Sequence, residues 1–224
     1  MTGAEIIPRG IVVVAHGGRS VSTEPVTATQ PAVLRMIPLA RAIRRTVRAD
    51  RIEVWRPLFG MRGWNGAQAS PVRDLSRVLD VIHARFGAVP VVLIGHSMGA
   101  RAALRVAGHP AVIAVAGLAP WLPPGEMTGQ LAGRRVLLAH GSADVVTSPG
   151  DTWAYAERAR AVCDLTAIEV RRGDHPMLRR ARLWHAIAAE FTRVSFGIST
   201  NTGTDAAAAA IAAASREPSA ITLV

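Results

Sequence analysis

Between residues 10 and 194 the chain alternates short, largely apolar runs with longer segments whose apolar residues recur every three or four positions. Gly10–His16, Arg51–Trp55, Val89–Gly95, Ala111–Ala119, Arg135–His140 and Leu165–Val170 are short and rich in Val, Ile, Leu and Ala, which predicts strands. Pro31–Arg48 sets Val33, Leu34, Ile37, Leu39, Ala40, Ile43 and Val47 at helical spacing, with arginines on the opposite face. Pro71–Phe86 predicts a second helix, opened by a proline suited to a first turn and closed by Gly87. Met98–Ala107, Asp151–Val162 and Pro176–Val194 complete the helices.

Strands without polar alternation are covered on both faces, and strands separated by helices run parallel. The pattern therefore predicts an α/β fold: a doubly wound, mostly parallel sheet of about six strands with helices on both faces. A chain of 224 residues suits one such domain, placed at residues 1–196. Residues 197–224 are rich in Ser, Thr and Ala and show no core face, so a disordered or loosely docked tail is expected there, with no function attached.

Composition narrows the picture by exclusion. The longest apolar runs, Ile11–Ala15 and Val89–Ile94, fall far short of the roughly 20 residues of a membrane span. The first residues lack the pattern of a secretory leader, so a cytoplasmic protein without a membrane partner is expected. The formal charge of +10 suggests nucleic acid, but every basic side chain is Arg, with no Lys, as in the coding bias of a GC-rich genome. These arginines are spread over several helices, and aromatic residues for stacking make up 4% of the chain. Solvated helix faces are the better reading, and no nucleic-acid partner is expected. The lone Cys163 allows no internal disulfide and supplies no metal-ligand spacing, so a structural cysteine, no metal and no other cofactor are expected.

The chemistry concentrates at strand ends. In Val91-Val-Leu-Ile-Gly-His-Ser-Met-Gly-Ala100 a Gly95-x-Ser97-x-Gly99 motif follows a strand and opens a helix. Small glycines allow a sharp turn that lifts the Ser97 hydroxyl above the sheet, and the helix beneath aims amides at developing negative charge. A serine hydroxyl needs a base. Of the seven histidines, His175 lies in a loop after the last strand and before the last helix, whereas His16, His83, His96, His109, His140 and His185 read as structural or surface groups. Asp144, after the penultimate strand, is the candidate acid that orients the imidazole. Asp151 is the second choice, although its Pro149-Gly150 setting resembles a helix N-cap, and Asp174 should point away from its neighbour His175. Two amides should hold the oxyanion: that of Met98, and one from the Ala15-His-Gly-Gly18 turn, with Gly18 preferred and Gly17 open.

These segments, with Arg62-Gly63-Trp64-Asn65-Gly66, resemble those of the α/β-hydrolase superfamily over about Gly10 to Phe191. The resemblance implies a small, cap-less serine hydrolase with Ser97, Asp144 and His175 in the order Ser, Asp, His. The Arg62 loop has one residue more than the family's Arg-Gly-x-Gly loop and should shape the floor of the site. Pro120 to Gly133 is too short for a cap, which leaves the site open under Trp121, Leu122 and the loop from Arg19 to Gln30. The sheet should lack the fold's two leading strands. The expected activity is cleavage of an ester or thioester of a small-molecule acyl substrate through an acyl-enzyme. Acyl transfer on the same residues and ligand binding without catalysis are the alternatives.

Overall fold

The computed structural model of the chain describes residues 7–199 and 221–224. Six strands occur where the apolar runs predict them: β1 (Gly10–Ala15), β2 (Ile52–Trp55), β3 (Val91–His96), β4 (Val112–Leu118), β5 (Arg135–Gly141) and β6 (Asp164–Val170). A seventh, β7 (Ile221–Leu223), pairs with β6, and every pairing in the order β2-β1-β3-β4-β5-β6-β7 is parallel. Three residues carry no periodic signal, so β7 could not be read from the pattern. The remainder of the expected tail, residues 200–220, lies outside the described residues.

Side chains along β1 alternate between two cores, with Ile11, Val13 and Ala15 in one and Val12 and Val14 in the other. That is the two-residue period of a strand covered on both faces, and it explains the absence of polar positions. The first core is closed by α3 (Ser70–Phe86), α4 (Met98–Val106) and α5 (Pro149–Ala159), and the second by α2 (Met36–Thr46) and α6 (Ala181–Ser195).

Helix boundaries differ from the pattern most at the first and last helices. The first predicted helix is interrupted at Arg35, between α1 (Pro31–Leu34) and α2. Pro38 has no N–H for the carbonyl of Leu34, and its ring crowds that carbonyl, so regular bonding fails there. The last helix begins at Ala181 because Met177 and Arg180 sit at φ 56° and 60°, which α-helical geometry excludes. At α5 the N-cap is Ser148, whose hydroxyl accepts the Asp151 amide at 3.0 Å, so Asp151 is a first-turn acid rather than the cap.

Strand order reverses between β2-β1 and β1-β3, so the carboxyl ends of β1 and β3 flank a switch point where such sheets bind ligands. There α4 starts almost on top of β1. A Cβ added at Gly99 would lie 2.4 Å from the His16 carbonyl oxygen and 2.6 Å from that of Ala15. Gly99→Ala is therefore expected to push α4 off the sheet and lower unfolding stability by about 3 kcal/mol, the upper end of ordinary overpacking. Urea denaturation checks this, and a loss below about 0.5 kcal/mol would show that the contact yields easily.

Candidate active site

Ser97 occupies the turn between β3 and α4 at φ 54°, ψ −119°, a conformation that costs a residue with a side chain about 1–3 kcal/mol. Packing holds it there. The Ser97 amide donates to Leu118 O at 3.1 Å, and Ser97 O accepts from Ala100 N, Arg101 N and Trp121 N at 3.0, 3.2 and 3.3 Å. At Gly95 a Cβ would fall 2.4 Å from the Ala100 Cα, so both motif glycines answer to close approach.

The loops after β5 and β6 bring two groups to this serine. His175 Nε2 lies 3.0 Å from Ser97 Oγ, and His175 Nδ1 lies 2.8 Å from Asp144 Oδ2. An ionised carboxylate only accepts, so Nδ1 carries a hydrogen and Nε2 is left to accept the serine proton. The Asp144 carboxyl is fully buried. Burial alone would raise its pKa, but hydrogen bonds from His140 and His175 and the Thr147 and Val146 amides hold it well below the usual carboxylate range. Thr147 Oγ1 adds a further bond to Oδ2 at 3.0 Å.

His140 is the group the sequence reading misses. Its Nε2 donates to Asp144 Oδ2 at 3.0 Å, and its Nδ1 meets Thr152 Oγ1 at 2.7 Å. The available signal was its position four residues before Asp144 at the end of β5. The other histidines do not reach the serine hydroxyl. His96 donates Nε2–H to the backbone oxygen of His175 at 2.8 Å, which fixes the His175 loop. His16 takes the Phe59 amide on Nε2 and donates Nδ1–H to Gly17 O. Asp174 accepts the Arg179 amide through Oδ1 at 2.9 Å, away from the imidazole as expected.

A cleft of about 460 Å³ opens over Ser97, walled by Gly18, Arg19, Val21, Met98, Trp121 and Val146 among others. Gly18 is exposed toward it and packs directly on Met98, whose Cε lies 2.3 Å from an added Cβ. Gly17 is buried, with its carbonyl bound by His16. Of the two glycines, Gly18 thus shares the cleft with Ser97 and Met98. Among the described residues no acceptor takes the Gly18 or Met98 amide hydrogen.

Trp121 roofs one side of the cleft, whereas Leu122, expected beside it, is core. Apolar Leu122 packs inward because Trp121 N is tied to the elbow. The Arg101 guanidinium lies 4.0 Å from the Trp64 ring centre and 4.5 Å from that of Trp121, and pairs with the buried Glu126. Arg105 binds the same carboxylate at 2.8 Å. This buried cluster braces α4 and the segment between β4 and β5. The Arg62 loop braces the opposite wall: its carbonyl accepts Arg19 N at 2.8 Å, and its guanidinium pairs with Glu24. Among the described residues no cluster of side chains could hold a metal ion, and no helix is long and apolar enough to cross a membrane. Cys163 is half-buried on the far side, with its thiol pushed up to about 11 by burial and then by Asp164, which makes it a poor nucleophile.

A parallel sheet covered on both faces, with a serine on a strained turn between strand and helix, defines an α/β-hydrolase architecture. The sequence model of the alpha/beta hydrolase family matches residues 11–221, and the chain belongs to that family. No curated protein sequence matches it significantly. Among solved structures, XC6422 from Xanthomonas campestris, an α/β serine hydrolase without a lid, superposes with a TM-score of 0.62 at 19% identity, over 88% of this chain and 87% of the other. Est1E from Butyrivibrio proteoclasticus, solved with ferulic acid, gives 0.62 at 13% identity, covering 88% and 93%. The Paleococcus ferrophilus monoacylglycerol lipase gives 0.58 at 18% identity, covering 84% and 96%.

His96 sets a pH dependence of folding. Burial, and next the neighbouring His175 charge, push its pKa down to about 3 from 6.5. Above the unfolded value of 6.5 the imidazole is neutral in both states. Below it the unfolded chain binds a proton that the folded one refuses, so stability falls as pH drops from 6.5 toward 3. Each such imidazole contributes up to roughly 1.4 kcal/mol per pH unit in that window, and His16, also lowered by burial, adds to the slope. Urea midpoints at about pH 7 and about pH 4.5 should differ more for wild type than for His96→Asn. Equal slopes would contradict the assignment.

Proposed function

We propose that the chain hydrolyses a carboxylic ester or thioester through an acyl-enzyme. Ser97 is the nucleophile, His175 the general base and acid, and Asp144 the carboxylate that fixes the imidazole tautomer and stabilises its charged form. The observation that carries this reading is the unbroken path from Ser97 Oγ through His175 to Asp144 Oδ2, at 3.0 and 2.8 Å, ending at an open cleft.

Ser97 Oγ attacks the substrate carbonyl carbon while its proton passes to His175 Nε2. The Gly18 and Met98 amides donate hydrogen bonds to the carbonyl oxygen as negative charge builds on it, helped by the positive end of α4. The tetrahedral species collapses, and the leaving alcohol or thiol takes the proton from Nε2. Water then repeats the sequence against the acyl-serine: its proton goes to Nε2, the acid departs, and the proton returns to Oγ. The strained turn suits the first step, because it presents Oγ to the cleft with no backbone rearrangement. The short segment between β4 and β5 leaves the cleft uncapped, so water and bulky acyl groups both have access.

Ser97→Ala should lower turnover of 4-nitrophenyl acetate by about a thousandfold or more and abolish labelling by a fluorophosphonate probe, with folding intact by circular dichroism. Labelling at any other residue, or activity retained in the variant, would sink the assignment.

His140 acts through Asp144 as a positioning residue. His140→Phe should reduce kcat about tenfold with KM little changed, the size of one lost hydrogen bond to a charged acceptor. His140→Gln, which keeps an N–H donor, should recover part of that loss. An equal loss in both variants would point to packing alone.

A further inference from the structure

A second hollow, of about 260 Å³, lies against the Gly17–Gly18 turn, on the side of α1. Its walls include Gly18, Arg19, Gln30, Arg35 and Arg62. Gly18 and Arg19 also wall the Ser97 cleft, so the two spaces adjoin along one backbone turn. Three guanidinium-bearing residues therefore border a small cavity next to the amide assigned above to the oxyanion.

They are not equivalent. Arg62 is committed to Glu24. Arg19 and Arg35 have no carboxylate within ion-pair distance among the described residues. The acid whose field reaches Arg35 is Asp174, and one oxygen of that carboxylate already accepts the Arg179 amide. Arg35 is half-buried where α1 meets α2, and among the described residues its Nε, shielded from solvent, has no acceptor. A guanidinium that lines a hollow and has no carboxylate partner gains a charge-assisted bond when an anion fills the space. The planar fork of an arginine matches the paired oxygens of a carboxylate or phosphate.

We propose that this hollow is an anion subsite: the ester or thioester cleaved at Ser97 carries a carboxylate or phosphate that seats against Arg35, with Arg19 closing over it from the exposed rim. The inference rests on the reading of Ser97 as nucleophile, and it adds a substrate class to that reading. Substrates of this class place negative charge a few bonds from the scissile carbonyl, across Gly18 from the serine. The apolar wall formed by Val21, Trp121 and Val146 remains for the other part of the molecule.

The test compares mono(4-nitrophenyl) glutarate with 4-nitrophenyl pentanoate, which has the same chain length without the carboxylate. A second pair, 3-carboxy-4-nitrophenyl acetate and 4-nitrophenyl acetate, puts the charge on the leaving group. For one of these pairs wild type should prefer the anionic ester by about tenfold or more in kcat/KM, the scale of a charge-assisted hydrogen bond. Arg35→Gln should bring the anionic-to-neutral ratio close to one, and Arg19→Gln, at an exposed position that tolerates change, should lower it less. Competition by free glutarate and by inorganic phosphate distinguishes the two anion chemistries.

Turnover of the neutral esters with no anionic preference in either pair would overturn the subsite and leave the hydrolase reading standing. If wild type cleaves none of the four esters, the hydrolase reading fails. Calorimetric titration with glutarate and phosphate then decides the subsite: binding lost in Arg35→Gln supports it, and no binding to wild type overturns it. Should Arg35→Gln fail to fold, the Arg19→Gln ratio and its collapse in high salt carry the decision.

Discussion

The contact on which the site depends is the near-touching of two backbones, where α4 begins against the end of β1. Glycine at 95 and 99 lets the helix start within van der Waals distance of the Ala15 and His16 carbonyls. That closeness forces Ser97 into its positive-φ turn, and four hydrogen bonds to its backbone keep it there. The same approach brings Gly18 and Met98 side by side, since both follow the strands that the contact joins. The geometry of the Ser97 turn and the pairing of the two amides are thus consequences of one packing constraint rather than separate features. The strain of about 1–3 kcal/mol at Ser97 is small against the apolar burial of β1, β3 and α4, which is why a stable core can hold it.

The second half of the site is built on different physics. A carboxylate buried as deeply as Asp144 is tolerable only when its oxygens are saturated with donors. Two amides from the turn that follows it, one hydroxyl and two imidazoles fill that role. One of those imidazoles is His175, so the bond that orients its ring toward Ser97 also belongs to the set that makes the buried charge affordable. His140 has a structural role of its own, because it satisfies Oδ2 from the strand side while His175 approaches from the loop side. His96, holding the His175 backbone from beneath the serine, links this half to the elbow.

Most of this was legible in the chain. Six of the seven strands follow from apolar runs such as Ile11–Ala15, because strands covered on both faces have a composition that no loop shares. The convergence of Ser97, His175 and Asp144 was readable because each lies in the loop or turn after a strand, and strand ends in a parallel sheet converge on one edge. What escaped depends on three-dimensional neighbours. The choice between Gly17 and Gly18 turns on which of them faces the cleft, and nothing in a Gly-Gly pair encodes that. His140 looked structural because a histidine at the end of a strand before glycine, like His16, is consistent with several partners. The late start of α6 follows from positive φ at Met177 and Arg180, residue types that give no warning of it.

The charge excess takes on a different meaning once the arginines have places. Arg9, Arg44, Arg134, Arg135 and Arg158 each donate to a backbone carbonyl, those of Phe196, Val54, Ala107, Val194 and Glu126 respectively. In a chain without lysine the guanidinium does this work well, since its several donors can reach a carbonyl at a strand or helix end and still meet water. Arg101 is internal and stacked between two tryptophans, and it and the half-buried Arg105 both bond Glu126. These residues account for much of the surplus as architecture, which leaves net charge a poor guide to what the protein binds. Arg35 departs from that pattern. Among the described residues its buried Nε meets neither carbonyl nor carboxylate, and it borders a cavity that adjoins the cleft at Gly18 and Arg19. A guanidinium beside such a space, with no carboxylate partner, remains available to an anion there, whereas the arginines bonded to carbonyls or to Glu126 are already engaged.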